Sequence, residues 1–264
     1  MSQNIIISHD LKSDINAAVS SHFYDKTFII ADETTARLCL PLIADIESLK
    51  GADIITIPSS DINKSLDTVT HVWKSLGNMG ATRHSCVINV GGGMVTDLGA
   101  FAASTFKRGI DFYNIPTTLL AMVDASVGGK TGFNFNGLKN EIGVFNEART
   151  VIISTDFLRT LDSANICSGY AEMLKHALIN NIEMLAEHIN YDILTPDLQQ
   201  LKQMIAESIN VKEHIVTEDP HEQGIRKALN LGHTIGHAFE SMSLKTAQPL
   251  LHGYAVAFGM VCEL

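Results

Sequence analysis

The second half of the chain carries histidines and a glutamate, the residue types that bind a transition metal. His233 and His237 are four residues apart in GHTIGH, so they share one face of a helix. Glu172 lies in GYAEMLKH, and His252 lies in LLHGYAV. Carboxylate and imidazole ligands together favour zinc, and three protein ligands leave one position open for a substrate. Spacing alone assigns both His233 and His237 to the metal, and the alternative is a histidine pair on a solvated helix face.

A run of three glycines, Gly91–Gly93, separates an apolar segment from a helical pattern in VGGGMVTDLGAF. Such a run lets the backbone approach a pyrophosphate, and the following helix offers unpaired N–H groups to it. The run departs from the G-x-G-x-x-G dinucleotide fingerprint because Thr96 stands at the third glycine position. A loop that only needs positive φ angles is the alternative to a phosphate-binding turn.

Two further glycine-rich segments carry lysines. Lys130 lies in VDASVGGKTGFN, and Lys139 lies in NGLKNEIG beside Asn140. Two lysines on such loops suit an anionic ligand, and ordinary solvated lysines are the alternative.

Composition excludes several classes of protein. The chain has 264 residues, of which 45% are hydrophobic and 18% charged, as in globular proteins that bury a sizeable core. The net charge of −10 argues against a nucleic-acid partner. Four scattered cysteines without CxxC spacing and the lack of a long apolar run indicate a reduced, cytoplasmic protein without a membrane segment.

The order of elements predicts two domains. Strands rich in Ile and Val are predicted at 26–32, 52–58, 86–93, 111–118 and 149–155, with helices at 66–80 and 94–109 between them. This alternation predicts a parallel sheet covered by helices. Helical patterns alone follow, over 164–189, 197–216 and 225–242. We therefore expect an α/β domain over 1–155 and a helical domain over 156–264, and the uncapped apolar ending HGYAVAFGMVCEL leads us to expect a shortened, incomplete helical domain.

Taken together, these segments resemble the 3-dehydroquinate synthase family of sugar-phosphate cyclases. The matching strings run in family order over most of residues 60–264: GGGMVTDLGAF, KRG, IPTTLLAMVDASVGGKTGFN, LKNEIGVF, GYAEMLKHALI, RKALNLGHTIGHAFE and HGYAVAFGM. The resemblance implies an N-terminal Rossmann-like NAD-binding domain, an all-helical C-terminal domain and an active site between them. It implies a homodimer that converts 3-deoxy-D-arabino-heptulosonate 7-phosphate to 3-dehydroquinate and phosphate, with catalytic NAD and with zinc, or cobalt as the alternative metal.

The resemblance also implies roles for individual residues. The metal ligands are Glu172, His233 and His252, which makes His237 an active-site residue near the phosphate rather than a ligand. Catalytic positions around the substrate are matched by Lys175, His237, Lys212, Arg226, Asn230, Asn140, Asp124 and Arg108, the last reaching across a dimer interface. Cofactor positions are matched by Asp32, Asp61, Lys64, Gly92, Gly93, Asp97, Thr117, Thr118, Lys130, Lys139, Phe157 and Thr160.

Three alternatives remain open. One is a related cyclase with another sugar phosphate as substrate, such as a 2-deoxy-scyllo-inosose or sedoheptulose 7-phosphate cyclase. Another is a metal-dependent alcohol dehydrogenase, against which the lysines of the VGGKTG and LKN segments argue. The last is a truncated relative that binds NAD without catalysis. Departures from the family pattern include Tyr254, Asp61, Ala164 and Ala125, where the family usually has glutamate, glutamate, arginine and serine.

Overall fold

The computed structural model describes residues 3–243, 246 and 249–264. These residues form two compact units. The first unit comprises Gln3–Thr117 and Gly129–Thr160, and the second comprises Thr118–Gly128 and Leu161–Leu264. The domain boundary expected after residue 155 stays a prediction.

A parallel sheet forms the centre of the first unit. The strands of the described residues are β1 (Ile5–Ile7), β2 (Thr27–Asp32), β3 (Asp53–Ile57), β4 (Cys86–Gly91), β5 (Asp111–Pro116), β6 (Lys130–Phe135), β7 (Leu138–Phe145) and β8 (Val151–Ile153). Six of them pair in parallel in the order β1-β8-β5-β4-β2-β3. The strands predicted from Ile- and Val-rich runs are confirmed, whereas the three-residue β1 was not predicted.

Helices cover this sheet. They are α1 (Leu11–Ser20), α2 (Glu33–Leu38), α3 (Leu66–Asn78) and α4 (Gly93–Thr105). Every residue of the central strand β4 is buried. Such continuous apolar strands are typical of parallel sheets with helices packed on their faces. The predicted α/β fold of this part of the chain is therefore confirmed.

The segments around Lys130 and Lys139, predicted to be loops, instead form an antiparallel hairpin of β6 and β7. Asn136 and Gly137 connect the two strands and have φ angles of 51° and 78°. Asn-Gly is the preferred pair for the two-residue turn that needs positive φ at both positions. The prediction of a loop was wrong because this turn signal was overlooked between the lysines.

The second unit is helical. It contains α5 (Ser163–Asn180), α6 (Ile182–Asn190), α7 (Leu198–Glu218), α8 (His233–Ser243) and α9 (His252–Glu263). The helix predicted over 164–189 is divided at Asn181, whose side chain accepts a hydrogen bond from the N–H of Met184 and caps α6. The segment predicted over 225–242 divides into a 3-10 turn, Ile225–Asn230, and α8. In the described parts of the chain, no helix combines the length and apolarity required to cross a bilayer.

Close packing of α4 on the sheet depends on Gly99. A Cβ atom at Gly99 would lie 2.0 Å from Oδ1 of the buried Asn89. The amide of Asn89 donates to Asn114 Oδ1 at 2.9 Å, so the side chain is held in place from β5. The helix therefore approaches β4 at a distance that only glycine permits.

We predict that Gly99→Ala lowers the free energy of unfolding by about 1–3 kcal/mol through overpacking. Gly77→Ala is the matched control, because Gly77 lies near the end of α3 with no atom within 4 Å of an added Cβ. Alanine favours a helix at both positions, so the control is expected to gain up to about 1 kcal/mol. Urea unfolding of both variants measures the difference, and a Gly99→Ala protein as stable as the control would contradict the packing argument.

Candidate functional site

The ends of β2 and β4 form one candidate site in the first unit. These strands are neighbours, yet the chain leaves β2 toward β3 on one side and leaves β4 toward β5 on the other. Such a reversal of strand order opens a crevice at the carboxyl ends of the strands, where open α/β sheets bind ligands. Asp32 lies at the end of β2, and the glycine run lies at the end of β4.

The glycine run joins β4 to α4. Gly91 ends the strand, Gly92 is the N-cap with a φ of −73°, and Gly93 begins the helix. None of the three glycines has a positive φ. The alternative, that the glycines serve only to allow positive φ angles in a loop, is therefore wrong. Since a glycine N-cap has no side chain, the N–H groups of the first turn are left to a ligand, together with the positive end of the helix dipole. An anion such as a pyrophosphate fits this turn.

Asp32 and the loop after β3 are joined by hydrogen bonds. Asp32 Oδ1 accepts from the N–H groups of Thr34 and Thr35 at 2.8 and 3.0 Å, which caps α2. The hydroxyl of Ser59 donates to the same oxygen at 3.0 Å. The predicted cofactor residue Asp32 and the loop after β3 therefore lie together at the carboxyl ends of the strands.

A buried ammonium group links three segments of this unit. Lys64 is 4% exposed. Its Nζ donates to Asp97 Oδ2 on α4 at 2.6 Å and to Asn140 Oδ1 on β7. Beside it, Lys139 Nζ lies 3.0 Å from Asp61 Oδ2. The predicted residues of the segment SSDINK (59–64), of the helix after the glycine run and of the hairpin thus form one charged network.

The remaining predicted residues of this unit differ in exposure. Thr117 is buried, and its N–H donates to the carbonyl of Gly91 at 2.9 Å, while Lys130 is exposed at the start of β6. The ring of Phe157 is fully buried, and the hydroxyl of Thr160 donates to its carbonyl at 2.7 Å. The burial of Phe157 is typical of a core residue, so its contact with a cofactor stays a prediction.

Arg108 lies in a strained turn. Lys107 and Arg108 have φ angles of 50° and 71°, and Gly109 follows with 109°. Left-handed backbone is costly for residues other than glycine, and it accumulates at functional sites. The exposed Arg108 is thereby held at a defined position after α4.

A second candidate site lies in the helical unit. Glu172, His233 and His252, from α5, α8 and α9, offer ligand atoms that lie within 4.8 Å of one another. Glu172 Oε1 lies 3.9 Å from His233 Nε2 and 3.6 Å from His252 Nε2. A tetrahedral zinc ion with ligands at about 2.0–2.1 Å separates its ligand atoms by about 3.3–3.4 Å. Among the described residues, this buried oxygen has no hydrogen-bond partner, so the three residues fit a divalent metal.

Close backbone contact brings His252 to Glu172. A Cβ atom on Gly253 would lie 1.8 Å from the carbonyl oxygen of Ser168, one turn before Glu172 on α5. The N–H of Gly253 donates to the Ser168 hydroxyl at 3.0 Å. The start of α9 is therefore fixed against α5 next to the proposed ligand.

The start of α8 is fixed against α9 in a similar way. A Cβ atom on Gly259 would lie 1.9 Å from the carbonyl oxygen of Gly232, directly before His233. The carboxylate of Glu263 accepts hydrogen bonds from the N–H of Gly232 at 2.7 Å and from that of Ile235 at 3.3 Å. This carboxylate caps the first turn of α8 and so orients the helix that carries His233.

The electrostatics of the cluster favour a charged Glu172. Burial raises the pKa of Glu172, but the Lys175 ammonium and the His252 imidazole together outweigh burial and hold that pKa below its ordinary value. Lys175 is 1% exposed and forms an ion pair with Glu172 Oε2. Burial lowers the pKa of His252, but Glu172 and Glu240 outweigh burial and raise it to about 9. A metal ion must therefore displace a proton from this imidazole.

Another group with ligand atoms at similar distances consists of Asp124, Glu172 and His176. Its two carboxylates already form ion pairs, Asp124 with Lys212 and Glu172 with Lys175. Lys175 lies beside Glu172 in either group, but only in this group does a second buried ammonium, that of Lys212, also lie beside a ligand and repel a dication. This group is therefore a poor metal site.

His237 falls in a different group from His233. The centroids of their rings lie 5.3 Å apart on one face of α8, as the spacing predicts. His237 offers a ligand atom together with Glu240 and His252, whereas His233 does so with Glu172 and His252. No group found among the described residues contains both histidines of α8. The assignment of both to one ion by spacing alone is therefore not supported.

Asp124 and Lys212 form an ion pair in the helical unit, in which Lys212 is buried and Asp124 is partly exposed. Asp124 lies in a π-helical turn, Ala121–Ala125, whose first N–H donates to the hydroxyl of Thr118 at 3.2 Å. Lys212 on α7 donates to the Asp124 carbonyl at 2.6 Å and pairs with its carboxylate. Burial lowers the pKa of Lys212, although Asp124 opposes the shift. Single π-helical turns occur frequently at functional sites.

Arg226 and Asn230 lie in the 3-10 turn before α8. Arg226 is 2% exposed and donates to the carbonyl of Gly128 at 3.0 Å. The amide of Asn230 donates to Glu222 Oε1 at 2.6 Å. Both predicted side chains are therefore oriented by hydrogen bonds within the unit.

Glu222 and Glu240 were not among the predicted site residues. Glu240 contacts His252, with Oε2 3.5 Å from Nδ1. Its position three residues after His237 on α8 was a signal in the sequence, because i and i+3 share a helix face. Glu222 lies in an irregular segment, so its approach to Asn230 had no periodic signal.

Family comparisons cover most of the chain. The family described as 3-dehydroquinate synthase N-terminal matches residues 54–168, and the family described as 3-dehydroquinate synthase C-terminal matches residues 169–264. A 3-dehydroquinate synthase of Parabacteroides distasonis is 54% identical over 262 residues, which cover 99% of this chain and 74% of that protein.

Solved structures of sugar-phosphate cyclases are similar in fold. A 2-deoxy-scyllo-inosose synthase complexed with carbaglucose-6-phosphate, NAD+ and Co2+ has a TM-score of 0.85 at 25% identity, covering 98% of this chain and 71% of that chain. The 2-epi-5-epi-valiolone synthase ValA from Streptomyces hygroscopicus, with NAD+ and Zn2+ bound, has a TM-score of 0.83 at 26% identity, covering 98% and 73%.

We predict that Glu172→Gln abolishes stoichiometric binding of zinc, because the substitution removes the only negative charge among the three ligands. His237→Asn is the matched control, since it removes the other histidine on the same face of α8 and is expected to retain the metal. Metal content after dialysis, measured by mass spectrometry, separates the two. Loss of zinc from His237→Asn with retention in Glu172→Gln would contradict the ligand assignment.

Proposed function

The chain belongs to the 3-dehydroquinate synthase family, and on that premise we propose that it converts 3-deoxy-D-arabino-heptulosonate 7-phosphate to 3-dehydroquinate and phosphate. The observation that carries the proposal is the convergence of Glu172, His233 and His252 around one buried, unbonded carboxylate oxygen. The family match supplies the substrate, since the geometry of three ligands is common to many metal enzymes.

We infer that the glycine-run turn and the Lys64 network bind NAD, and that Glu172, His233 and His252 bind a divalent metal. When bound, the metal supplies Lewis acidity toward a hydroxyl oxygen, and NAD supplies a reversible hydride acceptor. The free N–H groups of α4 would hold the pyrophosphate. Lys64 would hold Asp97 and Asn140 in place around it.

Cationic side chains of the helical unit would bind the anionic groups of the substrate. Lys175, Lys212 and Arg226 are buried, in surroundings that strengthen the contact of a cation with an anion. The lowered pKa of Lys212 suits proton transfer, because its Nζ loses a proton more readily than an ordinary lysine does. His237, exposed on α8, would contact the phosphate.

A homodimer in the cytoplasm is part of the proposal. The support is Arg108, whose strained, exposed position suits contact with a partner molecule, and whose counterpart in the family reaches the substrate phosphate across the dimer interface. The side chain would then complete the anion site of the second subunit.

A related cyclase activity is the main competing function, because 2-deoxy-scyllo-inosose synthase has a similar fold. Glucose 6-phosphate is the substrate that tests this competing activity. The carbaglucose-6-phosphate bound in that structure is the carbocyclic analogue of glucose 6-phosphate. An alcohol dehydrogenase would instead accumulate NADH with a simple alcohol. A chain that binds NAD and metal without turnover is the non-catalytic alternative.

We predict that the chain with NAD and Zn2+ releases inorganic phosphate from 3-deoxy-D-arabino-heptulosonate 7-phosphate without net NADH, because the hydride is returned within each turnover. A coupled phosphate assay and NADH fluorescence measure the two products together. Glu172→Gln is expected to release none, and Gly77→Ala is the folded control with full activity. Phosphate release from glucose 6-phosphate alone, or net NADH formation, would contradict the proposal.

We also predict that Lys64→Met raises the Kd for NAD by about tenfold or more, which corresponds to about 1.4 kcal/mol. The substitution leaves Asp97 without its ammonium partner next to the pyrophosphate turn. Lys12→Met is the control, because Lys12 pairs with Asp45 at 2.7 Å on the exposed surface. Calorimetric titration with NAD measures both, and an unchanged Kd in Lys64→Met would place the cofactor elsewhere.

A further inference from the structure

Two carboxylates face the two nitrogens of His252. Nε2 lies 3.6 Å from Glu172 Oε1, and Nδ1 lies 3.5 Å from Glu240 Oε2. Glu240 is 4% exposed, so its carboxylate is removed from solvent beside the ring. We propose that Glu240 is a positioning residue that accepts the Nδ1 proton of His252 and holds Nε2 toward the metal.

The chemistry of imidazole supports this role. A neutral imidazole carries one proton and one lone pair, so a proton fixed on Nδ1 leaves the Nε2 lone pair for a metal. A carboxylate that accepts the other ring proton orients the ligand and increases its basicity. The proposal rests on the metal site of the proposed function and assigns the tautomer of one ligand in it.

The position of Glu240 on α8 gives this contact a structural basis. Glu240 follows His233 by seven residues, two helical turns, so both side chains share one face. The helix therefore supplies one ligand directly and orients another through Glu240. The close approach of α8 to α9 at Gly259 makes the contact with His252 possible.

The alternative is that Glu240 binds a second metal ion together with His237 and His252. That arrangement requires His252 to bind one ion through each nitrogen, and a neutral imidazole has only one free lone pair. The two positions are therefore mutually exclusive for a neutral His252. The group with Glu240 includes the exposed His237, whereas Glu172 is fully buried and no member of its group is exposed, so the geometry favours one metal position at Nε2 with Glu240 as the proton acceptor.

The test is the rate at which Co2+ leaves the loaded protein when excess chelator is added. This rate reports on the bound state, and it is measured without substrate. Glu240→Gln is expected to release Co2+ about 10- to 100-fold faster, with a shifted visible spectrum. Glu218→Gln is the matched control, because Glu218 contacts His214 Nε2 at 3.3 Å on exposed surface of α7, and it is expected to leave the rate unchanged.

An unchanged release rate and spectrum in Glu240→Gln would overturn the proposal, even if its metal-free form melted at a lower temperature. Binding of a second Co2+ equivalent that is lost in both Glu240→Gln and His237→Asn would show instead that Glu240 is a ligand. Should Glu240→Gln fail to fold, Glu240→Asp takes its place in the test. This variant keeps the negative charge but moves the carboxylate away from His252 by the length of one methylene. Fast release from that variant supports the proposal, and wild-type release contradicts it.

The metal-release measurement and the turnover measurement test the two proposals independently. A wild-type protein that retains Co2+ and shows the Glu240 effect, but releases no phosphate, would contradict the proposed reaction and leave this inference intact. A wild-type protein that binds no divalent metal would overturn both.

Discussion

The buried charge of Glu172 is the constraint on which the helical unit depends. An unpaired carboxylate without water costs several kcal/mol, in order of magnitude, so its two oxygens must face positive charge or donors. Lys175 compensates Oε2 from the same helix, and Oε1 faces the imidazoles of His233 and His252. Since those histidines belong to α8 and α9, both helices must pack close to α5.

Glycine makes this packing possible where a side chain would prevent it. The backbone of α9 contacts α5 at Gly253 and α8 at Gly259, at distances that no Cβ atom could occupy. Each contact lies next to a ligand in sequence or in space, so a small shift of either helix would separate the ligand atoms. Metal sites require positions held to within about 0.5 Å, and rigid helix contacts of this kind provide them.

Buried ion pairs organise both units in a related way. Lys64 joins Asp97 to Asn140 in the sheet unit, and Lys212 joins Asp124 to α7 in the helical unit. Such pairs contribute little net stability because desolvation offsets their attraction. Their value lies in orientation, since polar groups fixed before a ligand arrives need no reorganisation when it binds. Membership in the 3-dehydroquinate synthase family gives this arrangement its expected chemistry.

The sequence by itself determined the α/β and helical halves, since apolar runs and helical periodicity report local structure and burial. It also determined the glycine run and the residue types that bind a metal. The hairpin of β6 and β7 could also have been predicted from the sequence, because Asn136-Gly137 is a local turn signal. Helical spacing left His233 and His237 equivalent, and the choice of His233 came from the family resemblance; the tertiary structure brings His233 to Glu172, and only the tertiary structure revealed that Glu240 contacts His252. Those contacts depend on how α8 packs against α5 and α9, and spacing along one helix carries no information about its partners.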